Sequence, residues 1–330
     1  MGVCPSLADL QNGGVQECYA TYNKDDDVRK NSSSGGIFAL MAQYVLDNGG
    51  AVCGAVFDKD WSVKHILTDD VAMLPALQKS KYVQSTVYPV LPQVKQKLEQ
   101  GVMVLFVGTP CQVNALALYL GKKYDNLYLV DIACHGVPSP QVWQKYIGTF
   151  DDVKTVDFRD KSTSWQNYNV SLNHSQGRYS DYYMRNSYMM MFCKNLILRP
   201  SCYNCHSKFP AKLADVTLGD YWGVENDFEQ MKDDRGVSAV IVNSQKGQQL
   251  FDCIKVNAQW HKADFNNIVK YNPSLVSPFN QPEKWQACMD ELVSSPSSEF
   301  ENISKKYTVP STSARIKGAV KYYFNKIIKQ

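Results

Sequence analysis

A continuous apolar run, Val102-Met103-Val104-Leu105-Phe106-Val107, is followed at once by Gly108-Thr109-Pro110-Cys111. Short apolar runs of this kind are typical of a strand that is buried on both faces of a parallel sheet. Gly108 ends the run, Thr109 can cap a helix, and Pro110 suits the first helical position. We therefore expect a strand followed by a helix that ends near Leu120.

The next segment repeats this pattern. Leu127 to Ala133 is a second apolar run, it ends at Cys134-His135-Gly136-Val137-Pro138, and a helix is predicted from near Gln141. Consecutive strand–helix units form a right-handed parallel arrangement, in which the loops after the strands share one edge of the sheet. Cys111 and Cys134, which follow the two strands, are therefore expected to face one crevice.

Further strands and helices are predicted on both sides of these units. Residues 1–22 read as loop, and from Val153 onward the alternation is typical of antiparallel strands. The predicted class is α/β, with a mixed sheet core, parallel strand–helix units in the first half and an α+β second half. The strands are Ala51 to Phe57, Trp61 to Leu67, Val153 to Phe158, Tyr168 to Asn173 and Val237 to Asn243. The helices are Ile37 to Leu46 after a serine N-cap, Val90 to Gln100, Asp181 to Leu198 and Gly247 to Val256.

Composition excludes several classes of function. A net charge of only +3, with no basic block interleaved with aromatic residues in the body of the chain, argues against a nucleic-acid partner. No apolar run approaches the roughly 18 residues that cross a bilayer, and the first residues lack the build of a signal peptide. The ten cysteines are scattered through a long chain, so we expect a reducing, cytoplasmic location and not a disulfide framework.

Four cysteines form the candidate metal site. Cys111 and Cys134 follow the two predicted strands, and Cys202 and Cys205 form a Cys-x-x-Cys pair. Soft thiolates suit an iron–sulfur cluster or zinc. Zinc sites more often show two such pairs, a lone pair is also typical of a thioredoxin-like dithiol, and the thiols could be unrelated core residues. Spacing alone leaves these four interpretations open.

The other cysteines have weaker patterns. Cys193 ends the apolar stretch Met189 to Cys193 and is either a core residue or a rival fourth ligand. We interpret Cys53, Cys253 and Cys288 as small core residues, because they lie in or beside apolar or helical patterns.

An ordered set of short motifs resembles one known family. The motifs are Ser33-Ser34-Gly35-Gly36, Ser80-Lys81-Tyr82-Val83-Gln84-Ser85, Gly108-Thr109-Pro110-Cys111-Gln112, Cys134-His135-Gly136-Val137-Pro138-Ser139, Phe158-Arg159-Asp160-Lys161, Leu198 to Cys205, and Leu218-Gly219-Asp220-Tyr221-Trp222-Gly223. Each motif is weak alone, but their order is specific. From about residue 18 to residue 260 the chain is similar to the bacterial branch of the coenzyme F-420 hydrogenase/dehydrogenase beta-subunit family.

The resemblance implies an iron–sulfur flavoprotein oxidoreductase, with a 4Fe–4S cluster next to FAD. It makes Cys134, Cys202 and Cys205 the firmer cluster ligands and Cys111 the fourth, with Cys193 in reserve. Electrons would pass between the cluster and FAD, and a hydride to or from a soluble small-molecule substrate or a deazaflavin-type coenzyme. A ferredoxin-like protein is the expected electron donor or acceptor, and bacterial relatives suggest a role in polysaccharide biosynthesis.

A flavin needs a phosphate cradle and a flat, dry slot. Ser33, Ser34, Gly35 and Gly36 precede a predicted helix N-terminus, where free N–H groups attract a diphosphate. Gly108 and Thr109 offer a second helix start, although plain N-capping explains either one. The Rossmann fingerprint is missing, so an ordinary FAD site is not expected. Three further residues could contact the phosphate, ring or edge of the flavin: Lys81, Tyr82 and Asp220. Arg159, Asp160 and Lys161 form either an anionic-substrate site or a solvated charge run.

The chain is divided into four predicted segments. Residues 1–22 are an N-terminal segment, residues 23–150 the flavin-binding half, residues 151–270 the cluster-binding and substrate half, and residues 271–330 a C-terminal extension. Many members of the family carry an N-terminal ferredoxin module, and here only Cys4-Pro5 matches it, so the module is either lost or precedes this polypeptide. For the basic run from Arg315 to Lys329, a terminal helix is favoured over contact with a membrane surface.

A second function remains open at this point. The chain could be a non-redox protein that tailors or binds glycans, with a structural zinc or no metal at the cysteines. The sequence does not identify catalytic residues, the substrate or the oligomeric state.

Overall fold

The computed structural model describes residues 4–5, 8, 10 and 14–309. The predicted basic run from Arg315 to Lys329 lies outside the described residues. The strands are β1 (Glu17–Asn23), β2 (Ala51–Phe57), β3 (Val63–Thr68), β4 (Ser85–Thr86), β5 (Val104–Gly108), β6 (Leu127–Ile132), β7 (Thr155–Asp160), β8 (Asn169–His174), β9 (Gly177–Tyr182), β10 (Val216–Asp220), β11 (Ser238–Val242) and β12 (Ala258–Lys262). The helices are α1 (Asp26–Lys30), α2 (Ile37–Asp47), α3 (Leu74–Leu77), α4 (Leu91–Glu99), α5 (Pro110–Leu120), α6 (Pro140–Ile147), α7 (Ser187–Cys193), α8 (Pro200–Tyr203), α9 (Val224–Asp227), α10 (Gln245–Ile254), α11 (Phe265–Tyr271), α12 (Trp285–Ser294) and α13 (Phe300–Thr308). None of these helices is long and apolar enough to cross a bilayer.

A large mixed sheet forms the centre of the protein. Its described strands lie in the order β12-β1-β11-β10-β6-β5-β2-β3-β4. The four central neighbours β10, β6, β5 and β2 run parallel, whereas β3, β11, β1 and β12 add antiparallel pairings. This arrangement confirms the predicted α/β class with a mixed sheet core. The sheet takes strands from both sides of residue 150, so the two predicted halves share it.

Alternate residues of the central strands bury opposite faces of the sheet. Val104 and Phe106 pack in a cluster with residues of α4 and α5, while Leu105 packs with residues of α2 and α10. Burial of each side chain of this size contributes about 1.5–3 kcal/mol to the free energy of unfolding. Because a shift of one residue would move these side chains to the other face of the sheet, the apolar runs fix the strand register. The parallel strands therefore present their carboxyl ends together.

A second, smaller sheet gives the latter half its α+β character. Strands β7, β8 and β9 pair in that order and are antiparallel. They pack with α6, α7, α12 and α13 around an aromatic cluster that includes Trp143, Phe158 and Tyr188. The end of β7 carries Arg159 toward the large sheet, where it meets Asp220 at the end of β10.

Two secondary-structure predictions are wrong because long-range packing overrides local pattern. The segment predicted as loop contains most of β1, which pairs with β11 and β12 from the far end of the described chain. The helix predicted from Asp181 to Leu198 forms only from Ser187 to Cys193. Strand β9 takes the residues up to Tyr182, and the side chain of Asn186 caps the short helix by accepting from the Met189 N–H at 3.0 Å.

Two smaller expectations are also corrected. Cys253 is exposed on α10 and is not a core residue, whereas Cys53 and Cys288 are buried as expected. Helix α2 has no serine cap. Its N-cap is Gly36, in the left-handed region at φ 83°, and no side chain caps the first N–H groups.

Candidate active site at the carboxyl edge of the sheet

The carboxyl ends of β5, β6 and β10 bring three of the predicted residues to one edge. Cys111 lies in the first turn of α5 after β5, Cys134 closely follows the end of β6, and Asp220 ends β10. Because β5, β6 and β10 are parallel neighbours, these positions share one side of the sheet. The adjacent-strand expectation for Cys111 and Cys134 is met by this topology.

The Cys-x-x-Cys segment reaches the same edge from the second half of the chain. The Arg199 N–H donates to the Val137 carbonyl at 3.0 Å, and Pro138 forms an antiparallel bridge with Leu198. Gly136, at φ +143°, allows the close approach, because a Cβ there would lie 2.8 Å from Leu198 Cδ1 and 3.4 Å from Cys202 Cβ. The loop that carries Cys134 is thereby held beside α8.

The four predicted thiols share one electrostatic environment. Burial raises the pKa of Cys134 to about 12, Lys208 opposes that shift, and the thiols of Cys111, Cys202 and Cys205 add to it. In the geometry, the loop after β6 lies against the segment of Cys202, through the Pro138–Leu198 bridge and the close approach of Gly136. Their role as metal ligands remains a prediction.

The thiols do not form a ready site for a single ion. Among the residues that the structure describes, no group of three or more His, Cys, Asp or Glu side chains could hold one metal ion. The reserve ligand Cys193 lies at the end of α7 and packs against the same core cluster as Cys202. Burial raises its own pKa to about 11.

Two buried lysines lie beside these cysteines. Lys208, which is 8% exposed, donates from Nζ to the Cys134 carbonyl at 2.6 Å. Over the described part of the chain it has no carboxylate partner. Lys212 instead forms a fully buried ion pair, with Nζ 3.1 Å from the carboxylate of Asp131. Sequence reasoning missed both lysines, although their position among Phe209, Pro210, Ala211 and Leu213 is unusual for solvated cations.

The serine–glycine loop, Ser33 to Gly36, is held largely by hydrogen bonds to other parts of the protein. Ser33 Oγ accepts from the Ser80 N–H at 2.6 Å and from the Ser80 hydroxyl at 3.0 Å. The Ser34 hydroxyl donates to the Val237 carbonyl at 2.8 Å. The Ser33 hydroxyl hydrogen therefore stays available, as do the first N–H groups of α2, whereas the Ser34 hydrogen is used.

Close packing requires a glycine at position 35. An added Cβ would lie 2.5 Å from the Thr21 carbonyl oxygen and 2.8 Å from the Ser238 nitrogen. The Gly35 carbonyl also accepts from the Asn23 N–H at 2.7 Å. Glycine lets the loop lie directly against β1 and β11, so this position fixes the loop on the sheet.

Arg159 is buried and connects most of the predicted polar residues. Its guanidinium donates to both carboxylate oxygens of Asp220, at 2.9 and 3.1 Å. It also donates to the Ser33 carbonyl and to the Tyr82 hydroxyl, each at 3.2 Å. Its Nε is buried without a hydrogen-bond partner among the described atoms. Trp165, which sequence reasoning missed, donates from Nε1 to Asp220 at 3.0 Å.

The interpretation of residues 159–161 as a solvated charge run is wrong. Arg159 and Asp160 are both buried, and Asp160 pairs with Arg178 at 2.5 Å. Lys161 donates from Nζ to the carbonyls of Arg29, Ser34 and Arg235, at 2.7, 3.0 and 2.8 Å. Through Arg159 and Lys161, this segment holds the serine–glycine loop in place.

Lys81 and Tyr82 lie between the loop and the cysteine edge. Burial lowers the pKa of Lys81 to about 7, and its Nζ donates to the carbonyls of Gln78 and Lys79, at 2.8 and 3.2 Å. The Tyr82 ring lies 5.0 Å from the Phe192 ring, which in turn lies 4.9 Å from the His135 ring. Aromatic contacts thus lead from Tyr82 to the residue beside Cys134.

At the second predicted helix start, the N-terminus of α5, the local side chains already bond one another. Gln112 Oε1 accepts from the Thr109 N–H at 3.0 Å and from the Thr109 hydroxyl at 3.1 Å. Gln112 Nε2 donates to the Ser85 hydroxyl at 2.8 Å. Capping therefore accounts for Thr109, and Gly108 lies against Gln112 and His65.

Two surface cavities lie away from these residues. One, of about 510 Å³, is lined by Lys24, Asp252, Lys255, Val256, Ala258, Gln259 and Trp260. The other, of about 320 Å³, is lined by residues of β2, β3 and α4. Neither cavity includes a predicted site residue.

Comparisons with known proteins bear on fold and family. A chain of the F420-reducing [NiFe] hydrogenase complex from Methanosarcina barkeri has a similar fold, with a TM-score of 0.53 at 16% identity, over 90% of this chain and 91% of that chain. A comparison with curated proteins gives no match. Residues 18–92 match the N-terminal family model of the coenzyme F420 hydrogenase/dehydrogenase beta subunit, and residues 102–267 match the model for its C terminus. With most of the described sheet inside these two matches, the chain belongs to the coenzyme F420 hydrogenase/dehydrogenase beta-subunit family.

Proposed function

We propose that this protein is an iron–sulfur flavoprotein oxidoreductase. Membership in the family implies a redox role. The proposal adds a 4Fe–4S cluster bound by Cys111, Cys134, Cys202 and Cys205, and an FAD bound near the serine–glycine loop. When bound, these groups would combine two single electrons and one proton into one hydride, or separate a hydride in the reverse direction.

The observation that carries this proposal is the convergence of thiols from three separate parts of the chain. Cys111 and Cys134 follow the parallel neighbours β5 and β6, and the hydrogen bond from the Arg199 N–H to the Val137 carbonyl holds the Cys202 segment beside the loop of Cys134. In a 4Fe–4S cluster each thiolate binds a different iron, so the sulfurs stand farther apart than the ligands of one ion. Donor chemistry and placement therefore fit a cluster. A structural zinc would need its ligands around one ion, and the described side chains form no such group before metal binds.

For the flavin, the support is the set of donors that remain available at the loop. The uncapped start of α2 and the Ser33 hydroxyl are suited to a diphosphate. Lys81, whose Nζ already donates to two backbone carbonyls, would add a third N–H in its protonated form. Arg159 would act by positioning, because it fixes the Ser33 carbonyl, Tyr82 and Asp220 together. The ring contacts from Tyr82 to His135 lie between the two proposed sites.

The remaining parts of the proposal concern partners and context. A ferredoxin-like protein would donate or accept the single electrons, and a soluble substrate or a deazaflavin-type coenzyme would exchange the hydride. We propose a cytoplasmic setting, with polysaccharide biosynthesis as the pathway class to be examined first.

The decisive experiment is cofactor analysis of protein purified without air. We expect a brown-yellow protein that bleaches with dithionite and contains iron, acid-labile sulfide and FAD. Cys202→Ser and Cys205→Ser should lose the iron, whereas the matched control Cys253→Ser, at an exposed cysteine, should keep it. Equal iron in all three variants, or a colourless protein with stoichiometric zinc, would overturn the proposal.

A further inference from the structure

Lys208 carries a buried charge that the described protein does not neutralise. The side chain is 8% exposed, its one hydrogen bond is to the Cys134 carbonyl, and no carboxylate pairs with it among the described residues. An ammonium has three N–H donors, so two of them lack acceptors within the part of the chain that the structure describes. Burying a cation without a paired anion is costly, and proteins normally supply the anion.

The neighbouring lysine, Lys212, is a buried cation whose charge the protein does neutralise. Lys212, slightly further along the sequence, has the Asp131 carboxylate 3.1 Å away and also reaches Thr217 Oγ1 at 3.4 Å. Both lysines are buried, and they differ in the anion. Lys208 therefore lies where an anion from outside the polypeptide belongs.

The groups nearest to Lys208 identify that anion. Its ammonium contacts the residue that carries the Cys134 thiol. Thiols are neutral without a metal, but four thiolates outweigh the positive charge of an iron–sulfur core. A bound cluster would thus supply a negative centre beside an unmatched cation.

We propose that Lys208 is the built-in counter-ion of the cluster and raises its reduction potential. This inference rests on the proposed function. Reduction adds an electron to a centre that is already negative, and a nearby positive charge stabilises the reduced form more than the oxidised form. Hydrogen bonds and net charge around a cluster are the usual means by which proteins adjust its potential. Lys208 is here a positioning and electrostatic residue that touches no substrate.

The test is a redox titration of the cluster in anaerobically purified variants, followed by electron paramagnetic resonance. Lys208→Met should keep the cluster and shift its midpoint potential to more negative values, and Lys208→Arg should restore most of the shift. The control is Lys154→Met, which removes the same charge from an exposed pair with Asp152. It should leave the potential unchanged. A Lys208→Met protein with full iron and the wild-type potential would overturn the inference and leave the proposed function intact.

A second measurement covers the case in which Lys208→Met holds less iron. The iron-free forms of wild type and variant are compared by urea unfolding. Iron-free Lys208→Met should be at least as stable as iron-free wild type, because it loses an unpaired buried charge. Lower iron occupancy in an equally stable apoprotein would support the counter-ion role. A destabilised apoprotein would assign Lys208 to the scaffold, and a wild type without iron would refute this inference together with the proposed function.

Discussion

Lys208 and Lys212 are both buried near the cysteines, yet the two cations have different partners. Lys212 has its charge paired with the Asp131 carboxylate and reaches Thr217, although Asp131 Oδ2 and Asn243 Oδ1 have no hydrogen-bond partner among the described residues. Lys208 lies at the cysteine edge, where thiols and ammonium have few protein partners. The difference teaches that buried polarity alone does not mark a functional site. Buried polarity that the protein leaves unmatched is the more informative signal.

The serine–glycine loop contains both kinds of polar group, those that the described protein pairs and those that it leaves unpaired. Ser34, Lys161 and the Arg159–Asp220 pair are engaged with the protein itself, so most of the loop resembles the Lys212 region. The free Ser33 hydrogen and the uncapped start of α2 resemble the Lys208 region. Substitutions in the three regions should therefore have different consequences.

The largest effect on stability is expected at the ion pair of Lys212 and Asp131. Lys212→Met should lower the free energy of unfolding by about 3–5 kcal/mol, because Asp131 would remain buried without a partner. Urea unfolding measures this loss. In the double variant Asp131→Leu, Lys212→Met, most of the stability should return, since an apolar pair replaces an ion pair. If Lys208→Met and Lys212→Met proved equally destabilising, the contrast between the two lysines would be lost.

A smaller, pH-dependent effect is expected at His65. Its Nε2 bonds the Val107 carbonyl at 3.0 Å, its Nδ1 is buried without a described partner, and burial lowers its pKa to about 4. Because the Val107 oxygen can only accept, Nε2 carries a hydrogen, and the lowered pKa favours the neutral ring at pH 7. The unfolded chain takes up a proton near pH 6.5, so stability should fall as the pH drops from 6.5 to 4, by up to about 3 kcal/mol.

The comparison for this effect is His65→Gln. Unfolding free energies of wild type and variant at pH 7.5 and pH 4.5 separate the histidine from the acidic residues, which both proteins share. The loss between the two pH values should be smaller in the variant. Parallel losses would show that His65 is accommodated as a cation in the folded protein.

Sequence reasoning could predict what local pattern encodes. The run from Val102 to Cys111 predicts β5, the Thr109 cap and α5, because burial on two faces and helix capping are local properties. Strand β1 could not be predicted in this way, since its partners β11 and β12 are distant in sequence. The partners of Arg159, Lys208 and Lys212 were missed for the same reason. Their charges are visible in the sequence, but whether a charge has a partner depends on the folded chain.

The smallest effect is expected at the two adjacent serines, and it separates scaffold from ligand site within one loop. Ser33→Ala removes two hydrogen bonds and Ser34→Ala removes one, so the expected losses of stability are on the order of 2 and 1 kcal/mol. Of these two serines, Ser33 is the one whose hydroxyl hydrogen has no acceptor among residues 14–309. Ser33→Ala should therefore weaken FAD binding to the apoprotein about tenfold, or roughly 1.4 kcal/mol, and Ser34→Ala should leave it nearly unchanged. Fluorescence titration with FAD measures both affinities. Equal affinities in the two variants would mean that the Ser33 hydroxyl, like that of Ser34, serves only to fix the loop against the sheet.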